Sequence, residues 1–469
     1  MKKLDRIITR EEDFAEWYTS IIHNAKLSLY TNIKGMMIFQ PYAWSIWENI
    51  RAILDKEFKE KGIKNLAMPL LIPLSDLEKE KDHIKGFSPE VYTITKIGNK
   101  EINEHYIIRP TSEIIFCEYF RNILNSYKDL PIKLNQWCSV LRAEKTTRPF
   151  LRNSEFYWQE THSIHIDETD ALNFTEDMIN TYEKFIEEDL LIPVIKGEKT
   201  LNERFAGAEK TYTVEALMQD GQILQCGTSH YLSDNFAKNF QIKFQNNNNQ
   251  YEYVKQVSAG VSTRLIGAII MVHADDKGLN LPWNVAPTQI ILNLANSDEE
   301  VKKIAHTIKD SLKNYRVEID SSDKGLGYKI SNNEILGIPL QVIIGKKTIS
   351  ENIVTVYRRD ISQKEDIHLD NLNDYLEKTI IDIKASMFNK AKTHLDSSIE
   401  FISSIDELKT TLSKRKIAKA YFCGNEDDEI RIKEETKATP RCIIDNDVEG
   451  TCFITNKKTK NMIVIARAY

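Results

Sequence analysis

The sequence predicts an α+β domain built on an antiparallel sheet, followed by an α/β domain and a smaller C-terminal α/β domain. Three observations carry this. The stretch Leu141 to His162, LRAEKTTRPFLRNSEFYWQETH, reads as strand, proline-containing loop and strand, a hairpin. From Gln289 onward, strands alternate with helices (IILNLA, then Asp298 to Lys313, then VEID, then Lys329 to Leu336, then LQVIIG and IVTVYRR), which indicates an α/β sheet. The chain has 469 residues, too many for one core. We place the domains at 1–285, 286–390 and 391–469.

In order, Glu11 to Ser28 reads as an amphipathic helix and Ile33 to Phe39 as a short strand. Ala43 to Lys61 is a helix, because Ile46, Ile50, Leu54 and Phe58 recur every fourth residue and Gly62 stops it. Asn65 to Pro73 reads as one apolar strand interrupted by Pro69. Proline gives no ladder hydrogen bond, so this is a plain edge strand or a subunit interface. Tyr106 to Arg109 is a strand, and Pro110-Thr111-Ser112-Glu113 then opens a helix. A hydroxyl followed by an acid at that place is a helix cap, or a polar pair aimed at a ligand amine. Pro131 to Val140 leads into the hairpin. Asp167 to Leu190 is an acidic helix, and Thr211 to Met218 is a strand. Gly221 to Phe240 reads as strand, tight turn at Gly227 and helix, with Gln225, Thr228 and His230 at the turn. In Gln256 to Gly267, Gly260 breaks a strand and Arg264 opens an apolar helix. Asp370 to Lys392 is a helix into the last unit, whose apolar end, MIVIARAY, is packed.

Composition sets limits. Apolar residues make up 41% and charged residues 28%, as in a globular chain. No apolar run is long enough to span a bilayer, and the charged start MKKLDRIITREEDF lacks a signal segment. Six scattered cysteines without a CxxC pair fit a reducing cytoplasm. The net charge of −6 means that a polyanion must meet a local basic patch. Lys329, Lys346, Lys347, Arg358 and Arg359, at element ends of one unit, are candidates for such a patch.

The chemistry concentrates in the hairpin. On its second strand Phe156, Trp158, Glu160 and His162 share a face, since strand side chains alternate. Arg142, Glu144 and Arg152 lie in or beside the loop. Aromatics, a carboxylate, an imidazole and arginines together suit a pocket for a charged ligand. Arg264, beside an apolar helix, needs an anion or an aromatic face to justify its desolvation.

These stretches resemble the three signature motifs of class II aminoacyl-tRNA synthetases. The helix with Pro69 resembles motif 1. Arg142, Glu144, Arg152 and Phe156 resemble motif 2, and Gly260 to Arg264 motif 3. RPTSE, FLRNSEFYWQETH and QCGTSHYLSDNFAKNF are similar to the prolyl-tRNA synthetases shared by archaea, eukaryotes and some bacteria; GYKISNNEILGIPLQVIIG is similar to their anticodon-binding domain. Asn153, Thr161 and Ala259 depart from the family's Thr, Gly and Trp.

The resemblance implies that proline and ATP, with Mg2+, give prolyl-adenylate, which passes its prolyl group to tRNA(Pro). It places Arg142 on the α-phosphate and Arg152 on the outer phosphates, with Asn153 near the nucleotide. Phe156 and Arg264 sandwich the adenine, Glu144 meets its amino group or braces Arg142, and Gln225 and Thr228 touch the sugar. Arg142 and Arg264 carry the catalysis. Thr111 and Glu113 bind the proline amine. Trp158 and His162 wall its ring, Glu160 orients them, and Ser258 adds to the pocket. Lys329, Glu334, Lys346 and Arg358 face tRNA. A homodimer through Ala43 to Pro73, a cytoplasmic location and no editing domain are also expected. A synthetase-derived binding protein and a synthetase for threonine or serine are the competing readings. The family's C-terminal zinc is expected to be absent: Cys423 and Cys452 stand at two ligand positions, but Asp428 and Thr455 at the others.

Overall fold

The computed structural model describes residues 7–78, 91–296, 298–444 and 447–469. The first helix, α1 (Phe14–Asn24), starts where the Asp13 carboxylate caps the amides of Ala15 and Glu16, so it is shorter than the Glu11 to Ser28 expected. A small hairpin follows, β1 (Ser28–Tyr30) and β2 (Met37–Phe39). Helix α2 (Pro41–Glu60) buries Ile46, Ile50, Leu54 and Phe58, the apolar stripe read from the sequence.

The single strand expected at Asn65 to Pro73 is two. β3 (Lys64–Asn65) pairs with the large sheet, and β4 (Leu71–Pro73) with a separate one. Between them the chain leaves ladder pairing, and the Arg109 guanidinium takes up the carbonyls of Met68 and Pro69 at 2.8 and 3.1 Å. Proline forces that break. After α3 (Leu74–Glu78), β5 (Thr93–Ile97) and β6 (Lys100–Ile108) complete this small sheet, and α4 (Glu113–Ile123) follows.

The long antiparallel strands carry the site. β7 (Ile132–Leu141) and β8 (Glu155–His165) form the expected hairpin, with Gln136 opposite Glu160 and Cys138 opposite Trp158. Helix α5 (Glu168–Glu188) packs across their sheet. β9 (Val194–Glu198), β10 (Lys210–Leu217), β11 (Ile223–Ser233), α6 (Asn235–Phe240), the short pair β12 (Lys243–Gln245) and β13 (Tyr251–Tyr253), β14 (Lys255–Ser262) and α7 (Arg264–His273) follow. Two glycines were misread. Gly227 makes no turn; β11 runs through it, and an added Cβ would lie 3.0 Å from Val261 and 3.3 Å from Tyr182. Gly260 does not end β14; a Cβ there would lie 2.9 Å from the Gln159 carbonyl oxygen. Both serve close packing across the sheet.

The second unit holds β15 (Ile290–Leu294), α8 (Glu299–Ser311), β16 (Val317–Asp320), α9 (Leu326–Ile335), β17 (Leu340–Ile344), α10 (Lys346–Glu351), β18 (Ile353–Arg358) and β19 (Gln363–His368). Its sheet mixes parallel pairs about β15 with antiparallel ones from β18 onward. Helix α11 (Leu372–Ser397) runs on beyond Lys392.

The last unit comprises β20 (Ile399–Phe401), α12 (Ile405–Ser413), β21 (Ile417–Tyr421), α13 (Glu426–Thr436), β22 (Thr439–Ile444), β23 (Gly450–Thr451), β24 (Lys458–Thr459) and β25 (Met462–Ala466). β25 lies between β21 and β22, so the apolar C-terminus is packed. Among the described residues, this unit and the long strands share one 11-stranded sheet, joined where β22 meets β9.

Candidate active site

The open face of β8, β11 and β14 floors a cavity of about 390 Å³. Thr111, Glu113, Arg142, Phe156, Trp158, Glu160, His162, Gln225, Thr228, Ser258 and Arg264 all line it. Residues far apart in sequence thus converge because β8 pairs with β14 and β14 with β11, which sets His162, Ser258 and His230 side by side.

At one end sits a buried polar cluster. Glu160 Oε1 accepts hydrogen bonds from Ser112 Oγ and Gln136 Nε2, both at 2.5 Å, and Oε2 accepts from His162 Nε2 at 3.2 Å. Burial opposes the charge on Glu160, but these three donors together hold its carboxyl below the usual range. The imidazole of His162 stacks on Phe116, ring centroids 4.1 Å apart. Ser112 therefore does not cap α4 with its side chain; it braces Glu160. The Thr111 hydroxyl donates to the Glu113 carboxylate beside them.

Toward the other end lie the arginines. Arg142 Nε donates to the Pro110 carbonyl at 3.1 Å, and its guanidinium lies 5.4 Å from the Phe156 ring centre and 5.6 Å from that of Trp158. Arg264 Nε donates to the Leu151 carbonyl at 3.1 Å. Desolvation pulls both guanidinium values down; for Arg142 the Glu113 carboxylate opposes this.

Three of the expected site residues do not line the cavity. Glu144 and Arg152 face each other across 4.0 Å in the loop after β7, and Arg152 is exposed. Asn153 is buried, with neither side-chain polar atom hydrogen-bonded to protein. Thr161 faces away from the cavity, accepting from Gln159 at 2.6 Å, and Ala259 borders the cavity while packing in the main core.

The expected basic patch of the second unit is largely internal. Lys329 is 2% exposed, and its ammonium donates to the carbonyls of Leu294 and Asp320, both at 3.0 Å. Arg359 is fully buried on Asp275. Arg358 is paired with Asp360 at 2.9 Å, and Glu334 accepts from the Tyr357 hydroxyl. Lys346 and Lys347 remain exposed. Ends of elements pointed inward as often as outward, which the sequence could not distinguish.

Residues 92–273 match the class II tRNA synthetase core domain (G, H, P, S and T), 288–379 the anticodon binding domain, and 405–469 the prolyl-tRNA synthetase C-terminal domain. The chain is 55% identical to the proline–tRNA ligase of Ureaplasma urealyticum serovar 10, over 100% of both chains. The chain belongs to the proline–tRNA ligase family. The Malacoplasma penetrans proline–tRNA ligase is 46% identical over 99% of this chain and 100% of its own. The crystal structure of prolyl-tRNA synthetase from Cryptosporidium parvum, complexed with halofuginone and AMPPNP, superposes with a TM-score of 0.94, at 35% identity and over 98% of this chain and 99% of that one.

Sequence reasoning missed several residues at or beside this cavity. Gln136 could have been found from hairpin register, because it stands opposite Glu160. Glu203 to Ala206, a further wall of the cavity, gave no local signal.

The family's zinc does not fit here. Cys452 Sγ accepts from the amides of Cys423 and Thr455, each at 3.4 Å, and Cys423 Sγ lies 3.4 Å from Thr455 Oγ1. Asp428 is used elsewhere: its carboxylate accepts from the Asn425 amide in the capping box of α13. Two sulfurs and a hydroxyl make a poor zinc set.

Proposed function

We propose that this cavity activates proline with ATP as prolyl-adenylate and transfers the prolyl group to tRNA(Pro), with the roles assigned as follows. Proline occupies the Glu160 end. Thr111 and Glu113 take its secondary amine, His162 and Trp158 wall the ring, Ser258 closes the floor, and Glu160 fixes His162. The nucleotide occupies the arginine end. Gln225 and Thr228 meet the sugar, and Phe156 with Arg264 holds the adenine. ATP enters with Mg2+, which neutralises part of its phosphate charge. When the proline carboxylate attacks, charge builds on the α-phosphate oxygens, and Arg142, fixed between Pro110 and two aromatic rings, stabilises it. Arg152, with Glu144 and Asn153, closes over the outer phosphates from the loop. No protein nucleophile is required.

The observation that carries this reading is the pairing of two arginines at one end of the cavity with a carboxylate–imidazole–aromatic cluster at the other. ATP–pyrophosphate exchange assayed across the amino acids tests it. Exchange with proline is expected. Exchange with threonine or serine instead would refute the substrate, and none with any amino acid would return the chain to a binding role.

The domain division stays at 1–285, 286–390 and 391–469. tRNA contact is assigned to Lys346, Arg358 and Glu334, whereas buried Lys329 holds the ends of β15 and β16. A homodimer is assigned to the α2–β4 region and its neighbouring hairpin, where Leu29, Tyr30, Ile33, Ile38, Leu70 and Leu71 are exposed. Among the described residues, no helix is long and apolar enough to cross a membrane. The cytoplasm remains the location we assign.

A further inference from the structure

The C-terminal unit touches the catalytic sheet at a particular place. β22 docks beside β9 with Ile443 opposite Glu198. Gly197 permits the approach, since a Cβ there would lie 2.3 Å from the Ile443 carbonyl oxygen. Directly after β9 the chain enters the segment Lys199 to Ala206, and Glu203 to Ala206 form a wall of the cavity. The Phe205 ring lies 4.7 Å from that of His230, at the end that holds His162 and Ser258.

Contacts from the C-terminal unit hold this segment. Arg441, 7% exposed, donates to Glu203 at 3.3 Å and to the buried Glu215 at 3.2 Å, while Lys199 donates to Glu215 at 2.5 Å. The Thr200 hydroxyl donates to Glu429 at 2.8 Å, and the Asn202 side chain donates to the Glu426 carbonyl at 3.1 Å. Glu203 and Glu215 thus share Arg441, Lys199 pairs with Glu215 as well, and Glu429 holds Thr200 beside them. Removing one partner of such a buried set leaves charge or polarity uncompensated. A second set of polar contacts ties Arg467 and Tyr469 to Ile223, Asp220 and Arg148; the set from Arg441, Glu426 and Glu429 is the one that meets Lys199 to Ala206, beside the cavity wall.

We infer that the C-terminal unit is a positioning device for the proline end of the cavity, with Arg441 and Glu429 as positioning residues that hold Lys199 to Ala206 against the substrate. The inference rests on the assignment of that end to proline.

The test uses the full chain in proline-dependent ATP–pyrophosphate exchange. Glu429→Ala, Thr200→Val and Arg441→Ala should each raise the KM for proline about tenfold, the loss expected for one buried hydrogen bond or ion pair, with the KM for ATP and kcat within about threefold. Glu429→Gln keeps an acceptor for Thr200 and should stay near the parent. The double variant Thr200→Val/Glu429→Ala should be no worse than either single change, because both remove the same bond. In the ligand-free protein, amide hydrogen exchange should quicken at Leu201 to Ala206 in each variant. Arg441→Ala strips a buried network and can fail to fold, so the Glu429 and Thr200 variants decide the matter. Proline KM unchanged in both while they remain folded overturns the inference, as does an equal rise in the KM for proline and ATP. If the parent shows no proline-dependent exchange, the functional assignment fails instead. Hydrogen exchange then decides whether the C-terminal unit holds the segment: unchanged rates overturn the hold itself.

Discussion

Arg142→Ala is expected to abolish most adenylate formation while leaving the fold standing. The structure gives the reason for both halves. The contacts of Arg142 with the fold include a hydrogen bond to the Pro110 carbonyl and cation–π contacts with Phe156 and Trp158. The cation–π contacts are worth about 0.5–1 kcal/mol each at partly exposed sites, so their loss lowers the melting temperature by a few degrees at most for a chain of this size. Its role in the reaction is larger. A fixed donor aimed at developing phosphoryl charge contributes about 3–4 kcal/mol, so kcat for exchange should fall about a hundredfold to a thousandfold. Arg142→Lys keeps the charge but not the planar fork that reaches both the carbonyl and the phosphate, and should fall between. Separate kcat and KM values for exchange, with circular dichroism to confirm folding, measure this. A folded Arg142→Ala enzyme within threefold of the parent would refute the assignment of this arginine.

Other consequences follow from the same structure. Sedimentation at micromolar concentration should show a dimer, and exposed Ile38→Glu should dissociate it; a fully active monomer would contradict the interface. Alanine should be activated measurably, since a missing methylene discriminates by only about 1–3 kcal/mol, and the purified chain should not deacylate Ala-tRNA, because the run between β8 and β11 is taken up by α5, β9 and β10. Burial holds His273 neutral down to about pH 4, with Nε2 bonded to the Leu190 carbonyl at 2.8 Å, so the unfolded chain takes up a proton there first. Stability should therefore fall as the pH drops from about 6.5 toward that value, by up to about 1.4 kcal/mol per pH unit from this group, and His273→Gln should lessen that slope in a denaturation series, to which buried His230 and His165 also contribute. Elemental analysis should find no stoichiometric zinc, and chelators should leave the melting temperature unchanged.

The hairpin was legible because its signal is local. Strand alternation assigns Phe156, Trp158, Glu160 and His162 to one face, and all four line the cavity. Helix α2 was legible for the same reason, by its apolar stripe. What stayed hidden depended on the third dimension. Gly227 and Gly260 look like breaks, yet their missing Cβ atoms answer to neighbours on other strands. Ser112 looks like a cap, yet its partner Glu160 is 48 residues away. Lys329 looks like surface charge, yet two backbone carbonyls hold it inside. In each case the choice between two uses of the same residue was made by packing.

The C-terminal unit holds together by packing around Cys452 and by its place in the sheet. A structural zinc fixes loops that lack a core of their own. Here those loops have one. Cys452 is fully buried with Phe422 and Phe453, whose ring centres are 6.0 Å apart, in a cluster with Leu408, Ile432 and Ile463. Gly450 lies so close to the Tyr421 ring that a Cβ would come within 2.1 Å of it, which pins the loop bearing the cysteine without a ligand. β25 is flanked on both sides, and β22 is stitched to β9, so the unit shares the order of the larger sheet. Arg441 and Glu429 are the contacts by which this unit reaches the segment Lys199 to Ala206 at the cavity wall.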